Sequence, residues 1–367
     1  MSYPGKLGLI QRVLPSYRVP FFDALAAACV GGLSLFAGLP REDETIAPGR
    51  LQVARQAPAR NLHFGSPSSS LYFCYQRGLL EWLAGWDPDA LIVEANFRYL
   101  STPAGVRWMH ARRRPVLGWG LGAPAGRGPL TALRRSFLLQ FDALIAYSAR
   151  GADQYAACGF PADRILVARN AVAPAPVHLL PARPGHFDPR PVVLFVGRLQ
   201  PRKRLPALFA ACAGLPEPLK PRLVVVGDGP ELDRLRTQAA SVYPATEFVG
   251  AKHGAQLDPF FRAADLFVLP GTGGLAVQEA MSFGLPVIVA QGDGTQDDLV
   301  RPENGWQVPP DDDAALAAAL RQALSDVARL RTMGAESYRI VAEEINLGKM
   351  VDVFTLAIQR AGASLEA

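Results

Sequence analysis

The sequence predicts an α/β protein built from two doubly wound parallel sheets, and three observations carry that prediction. Its 367 residues exceed one ordinary domain and suffice for two buried cores. Short apolar runs alternate with Ala- and Leu-rich helical stretches from end to end, the pattern of parallel strands covered by helices on both faces. A stretch rich in proline, APAPVHLLPARPGHFDPRP at 173–191, has little periodicity and divides the chain.

Strands are expected at Lys6 to Gln11, Leu33 to Ala37, Ala90 to Glu94, Pro115 to Trp119, Ala143 to Ala146 and Ile165 to Val167 in the first half. The second half offers Val192 to Val196, Arg222 to Val226, Glu247 to Val249, Leu266 to Leu269 and Pro286 to Val289. The expected division is a first domain over 1–173, a linker over 174–191 and a second domain over 192–345, with a last helix, about 346–367, packing back on the first. From Asp312 onward the pattern is helical, and Asp311 to Asp313 read as a helix cap.

Hydrophobic residues make up 49% of the chain and charged ones 19%, which places it among globular proteins. The net charge of +5 divides unevenly. Residues 1–173 hold 19 basic and 11 acidic side chains (+8), and residues 174–367 hold 19 and 22 (−3), so the halves meet different partners. Cys29, Cys74, Cys158 and Cys212 are scattered in apolar surroundings without ligand spacing, which predicts reduced core thiols and a cytoplasmic protein. The longest uncharged run, Ala24 to Pro40, is broken by Gly31, Gly32 and Gly38 and is too short to span a bilayer. The N-terminus carries no secretion signal pattern.

Chemistry is expected where strands end. After Val196 comes GRLQPRK, in which Gly197 admits a ligand to the backbone, and Arg198 and Lys203 can converge on one anion such as a diphosphate. The GDGP at 227–230 lacks the third glycine of a dinucleotide fingerprint, Leu232 standing in its place, and reads as a tight turn with Pro230 opening a helix. After Pro270, the loop Gly271, Thr272, Gly273, Gly274 leads to a helix near Leu275 and Ala276, with free amides and Glu279 one turn inside. Glu279 can accept hydrogen bonds from a ribose diol. No DxD-like pair sits in a phosphate loop, since DPD at 87–89 precedes a strand and DDD at 311–313 caps a helix, so no metal or other cofactor is expected.

The series GRLQPRK, LVVVGDGPEL, FVG at 248–250, ADLFVLP at 264–270, GGLAVQEAMSFGLPVI and ENGW at 303–306 resembles the retaining glycosyltransferases of family 4 in order and spacing over 192–320. LPSYRVPFFDAL, IVEANFRYLST with PVLGWGLG, and 143–172 resemble a bacterial branch of the same family. The resemblance implies the GT-B fold, two Rossmann-like domains facing a central cleft. It further implies transfer of a sugar, with retained configuration, from a UDP- or GDP-linked donor to a hydroxyl of a glycan or lipid-linked acceptor. It assigns the diphosphate to Gly197, Arg198 and Lys203, the ribose to Glu279, and the base to the surroundings of Gly250, Ala251 and Lys252, with Gly227 and residues 271–276 completing the donor site. Arg198, Lys203 and Glu279 are the implied catalytic set. Two positions depart from the family: Gly271 stands for a glutamate and Leu121 for a histidine. Those departures keep open a sugar-nucleotide epimerase or hydrolase, and a nucleotide-binding homologue without activity; an NAD-dependent oxidoreductase is the weakest alternative.

Acceptor-side candidates are Tyr17, Arg18, Glu94, Asn96, Arg98, Trp119 and Gly120, at or near strand ends of the basic half. Arg112 to Arg114, Arg134 and Arg135 are candidates for peripheral contact with anionic membrane lipids. Nucleic acid is not expected, because aromatic residues do not interleave with these charges.

Overall fold

The computed structural model describes residues 2–366 apart from 45, 66–68, 70–71, 124–125, 127, 273, 293 and 295. Two compact units are present, one formed by Met1–Pro174 with Leu347–Ala367 and the other by Ala175–Asn346. The strands in chain order are β1 (Leu7–Val13), β2 (Leu33–Gly38), β3 (Arg55–Pro58), β4 (Arg60–Phe64), β5 (Phe73–Arg77), β6 (Ala90–Glu94), β7 (Val116–Gly120), β8 (Ala143–Ala146) and β9 (Ile165–Val167) in the first unit. The second unit contributes β10 (Val192–Val196), β11 (Arg222–Val226), β12 (Thr246–Phe248), β13 (Leu266–Leu269), β14 (Val287–Ala290) and β15 (Gly305–Val308).

In the first unit a seven-stranded sheet runs β3-β2-β1-β6-β7-β8-β9, and in the second a six-stranded sheet runs β12-β11-β10-β13-β14-β15, with every pairing parallel. Both are doubly wound. The strand order reverses between β1 and β6 and again between β10 and β13, and ligands of open parallel sheets bind outside the carboxyl ends at such reversals.

Strands β6, β8, β9, β10, β11 and β13 occupy the expected residues, while β1, β2, β7, β12 and β14 differ at their ends by one or two positions. Four strands escape the sequence reading for physical reasons. β3 is an exposed edge strand ending in Pro58, and β4 and β5 form an antiparallel hairpin of largely polar, half-exposed residues. β15 is four residues long and only half buried at its centre.

The segment 175–191 is a strap on the second unit and not a bare linker. Arg183 donates to the carbonyls of Phe261, Arg262, Ala264 and Phe283, and Tyr338 donates to the His178 carbonyl. Such charge-assisted bonds to free carbonyls pin backbone that has no ladder of its own. Of the three aspartates Asp312 caps the helix Asp313–Ser325, accepting from the Ala315 amide, while Arg204 pairs with Asp311 and Asp313.

The helix Leu347–Glu366 belongs to the first unit, where Phe354 packs at 4.9 Å on Phe21 and 5.0 Å on Trp119. Phe354→Ala is expected to cost about 3–5 kcal/mol by opening a cavity in this ring cluster. Urea unfolding followed by circular dichroism checks this; a loss below about 1 kcal/mol contradicts the packing described.

Candidate functional site

The second unit's reversal lies between two loops that the sheet brings side by side. β10 is a continuous buried run whose hydrogen bonding carries on past its end: the Gly197 amide donates to Val226 and the Leu199 amide to Asp228, 3.0 and 2.9 Å. Next to it Gly227, at φ +144°, donates to the Gly250 carbonyl at 2.9 Å. A Cβ on Gly227 would stand 1.9 Å from the Gly197 oxygen and one on Gly229 2.3 Å from the Leu199 oxygen, so these backbones touch where no side chain fits. The GDGP segment is thus a tight turn, held by a 2.6 Å bond from the Gly229 amide to Asp228. Pro230 does not open the helix, however. That helix starts at Leu232, because Pro230 and Glu231 are spent in the turn itself.

Around these ends lies a cavity of about 780 Å³. Gly197, Arg198, Gly227, Ala251 and Lys252, all anticipated from sequence, line it together with Asp228, His253 and Leu257. Gly250 sits behind it at φ +74°, its carbonyl engaged by Gly227. His253 is a capping residue, its side chain and Gln256 closing the start of a short 3-10 turn reciprocally.

The remaining donor-side candidates gather on the other side of β10, at the end of β13. Lys203 is only 5% exposed, and its Nζ donates to the Thr272 carbonyl at 2.8 Å. The Thr272 amide in turn donates to the Arg202 carbonyl at 3.2 Å. Burial, with Arg202 beside it, pulls the Lys203 ammonium down to about 8. Gly271 is buried against the same loop, where a Cβ would lie 2.0 Å from the Arg202 oxygen. Gly273 lies outside the described residues. Gly274 and Leu275 are exposed, and Ala276 begins the helix Ala276–Ser282 that carries Glu279. Burial, helped by Asp258, raises the Glu279 carboxyl above its ordinary value. Arg198 thus lines the cavity, and Lys203 lies in the clasp between the two loops.

In the first unit the candidates surround the reversal between β1 and β6. Glu94 ends β6 and accepts the Arg12 amide at 2.6 Å, and burial pushes its carboxyl up to about 7 against the pull of that bond and the Arg12 charge. Asn96 accepts from the Arg98 amide in the following turn, and Arg98 is half-buried beside Phe97. Tyr17 is exposed and Arg18 buried. Trp119 is a core ring, 1% exposed, and a Cβ on Gly120 would meet the Tyr155 hydroxyl at 2.6 Å. Two partners were missed by sequence reasoning: the half-buried Arg12–Glu44 pair, 2.7 Å, and Tyr147, whose ring stands 4.9 Å from Trp119. Glu44 lies in a charged loop that looks solvated, and nothing local marks it.

Among the lipid-facing candidates, Arg114 is paired with Asp87 at 2.5 Å and Arg112 lies on the Trp108 ring at 3.7 Å, while Arg113 and Arg135 are exposed. Among the described residues, no helix is long and apolar enough to cross a membrane.

Comparison with known proteins adds identity to this geometry. The pattern of the family described as glycosyl transferases group 1 matches residues 179–339. A GDP-mannose-dependent alpha-mannosyltransferase of Mycobacterium tuberculosis is 31% identical over 298 residues, 73% of this chain and 74% of that protein. A phosphatidyl-myo-inositol mannosyltransferase of Mycobacterium leprae is 36% identical over 167 residues, 42% of this chain, and the match spans less than half, 44%, of its length. The Anabaena protein HepE, solved in complex with UDP, superimposes with a TM-score of 0.70 at 17% identity, covering 98% of this chain and all of that one.

Introducing the carboxylate that the family resemblance leads one to expect should harm this chain. Gly271→Glu must push the Arg202–Lys203 backbone away, and overpacking of this kind costs about 1–3 kcal/mol. Urea titration measures it, and an unchanged midpoint would show that the clasp has slack.

Proposed function

Because the chain belongs to the glycosyl transferases group 1 family, enzymes of GT-B fold, we propose that it moves a sugar from a nucleoside diphosphate sugar to a hydroxyl of a glycan or lipid-linked acceptor, with retained anomeric configuration. GDP-mannose is the first donor to test, given the mannosyltransferase relative, with UDP-sugars next. Synthesis of a bacterial surface polysaccharide or glycolipid, at the cytoplasmic face of the membrane, is the proposed setting.

The observation that carries this reading is the cavity at the carboxyl edge of β10 and β11, where Arg198 and the Gly197–Gly227 contact offer a cation and close backbone to a diphosphate. Departure of the diphosphate concentrates negative charge, and cations at its place stabilise it. Arg198 does so at the cavity. Lys203 serves once its ammonium leaves the Thr272 carbonyl for the stronger acceptor, an anionic oxygen. Glu279 takes the ribose hydroxyls. We propose that these side chains carry the charge without a metal, in which case EDTA leaves turnover unchanged.

One observation favours the second reading, a nucleotide-binding homologue without turnover: Gly271 is packed so that no carboxylate fits there without displacing the Arg202–Lys203 backbone. Donor binding in the absence of transfer to any acceptor would select it.

Thermal-shift titration with GDP, UDP and their nucleosides tests the donor site. A ligand at 100 times its dissociation constant stabilises by about 2.7 kcal/mol. Arg198→Ala and Lys203→Ala are each expected to weaken the diphosphates much more than the nucleosides, and equal loss for both contradicts the assignment. Diphosphate affinity should also fall as pH rises through about 8, where the depressed Lys203 loses its proton, and Lys203→Arg should flatten that dependence. A profile level to pH 9 in the native chain speaks against Lys203.

Peripheral lipid contact is proposed for the face where the helix Pro129–Leu138 exposes Leu130 and Leu133 beside Arg135, with Arg113 as a further exposed cation. Leu130→Ser with Leu133→Ser should reduce sedimentation with anionic vesicles by about tenfold; unaltered binding removes the proposal.

A further inference from the structure

The LPSYRVPFF segment that follows β1 places a cation with which no described residue forms an ion pair. Arg18 is 7% exposed, and among the described residues it has no ion pair and no side-chain hydrogen bond. Its guanidinium stands over three rings, 5.4 Å from Tyr17, 5.3 Å from Trp119 and 5.2 Å from Tyr147. Arg18 Nη1 is buried without a hydrogen-bond partner, and so is the indole Nε1 of Trp119 in the same cluster. Ring faces offset only part of the cost of taking a guanidinium out of water, and an unpaired buried N–H donor adds to that cost. Such unpaired donors are unfavourable in the free chain and become favourable when an anion supplies the acceptor.

Their place in the sheet points the same way. Arg18 follows β1, Trp119 is the penultimate residue of β7 and Tyr147 follows β8 directly, so all three stand at the carboxyl edge of the first sheet, on the β6-β7-β8 side of its reversal. Arg18 is also the residue before the helix Val19–Ala27, whose first turn has no side-chain cap and contributes positive potential. Exposed Tyr17 and half-buried Tyr147 flank the guanidinium with flat faces against which a ring can lie.

We propose that Arg18 and the Trp119 indole N–H bind an oxyanion, phosphate or carboxylate, borne by the acceptor. The inference rests on the transferase reading and narrows it: the acceptor is an anionic molecule, with its charged group held in the first unit. A neutral glycan offers hydroxyl acceptors but no counter-charge for the buried guanidinium, whereas the planar fork of arginine matches the paired, charged oxygens of phosphate and carboxylate.

The test uses the full chain carrying Arg198→Ala and Lys203→Ala, so that the donor site contributes no phosphate binding. Inorganic phosphate and acetate are titrated separately against it by calorimetry and thermal shift, with glucose as the neutral control. One of the anions is expected to bind and raise the melting temperature, which identifies phosphate or carboxylate as the class, and glucose is expected to do neither. Adding Arg18→Met should weaken that anion by about tenfold or more while the unliganded variant melts no lower, since an unpaired buried charge has been removed. Trp119→Phe should keep the packing and lose part of the affinity. If Arg18→Met does not fold, Arg18→Lys replaces it, with a smaller but measurable loss expected from its single point charge. Failure of both anions to bind, or binding unaffected by these variants, overturns the inference and leaves Arg18 a packing cation. The donor reading is judged apart from this, by nucleoside diphosphate binding to the native chain, so the two can fail independently.

Discussion

The second unit depends on one close approach, the contact between the Arg202–Lys203 and Gly271–Thr272 backbones across the gap between β10 and β13. A single Cβ at position 271 is excluded by 2.0 Å of separation from the Arg202 oxygen. That contact brings the Thr272 carbonyl within reach of the Lys203 ammonium, which is buried as a result and loses much of its preference for charge. It also sets where the loop from β13 runs before the helix bearing Glu279 begins. A residue that reads from sequence as a missing carboxylate is, in the fold, the place where two loops meet.

Both units use the same device for different ends. A parallel sheet whose order reverses leaves a gap at its carboxyl edge, and in each unit candidate site residues stand along that edge. In the second unit these are glycines and cations beside a cavity of about 780 Å³. In the first they are Arg18, Glu94 and three rings, with a larger share of buried charge. The excess of +8 over residues 1–173 therefore has a partly internal address. Arg12 is consumed by Glu44, Arg114 by Asp87, and Arg18 by no carboxylate among the described residues.

The fold was legible wherever a strand is buried on both faces, because such strands are unbroken apolar runs: ALIA at 143–146, VVLFV at 192–196 and LFVL at 266–269 occupy their expected residues. The hairpin of β4 and β5 was not, since half-exposed polar residues carry no such signal. Among site residues, glycine and arginine after a strand were readable from local chemistry, and Gly197, Arg198, Gly227, Ala251 and Lys252 do meet at one cavity. Properties created by tertiary burial were out of reach. The Glu94 carboxyl near 7, the Arg12–Glu44 pair and the Arg18 ring cluster join residues tens of positions apart, and the proline-rich strap looked like a linker because the carbonyls that hold Arg183 lie about 80 to 100 residues further on.

A crystal structure of the chain grown with GDP, and in parallel with UDP, is the most direct measurement. The base is expected in the cavity near Ala251 and Lys252, the diphosphate against Gly197 and Arg198, and Lys203 Nζ moved from the Thr272 carbonyl to a phosphate oxygen. Density for the nucleotide at another edge, or a bound diphosphate with the Lys203–Thr272 bond intact and Arg198 out of contact, would contradict this placement.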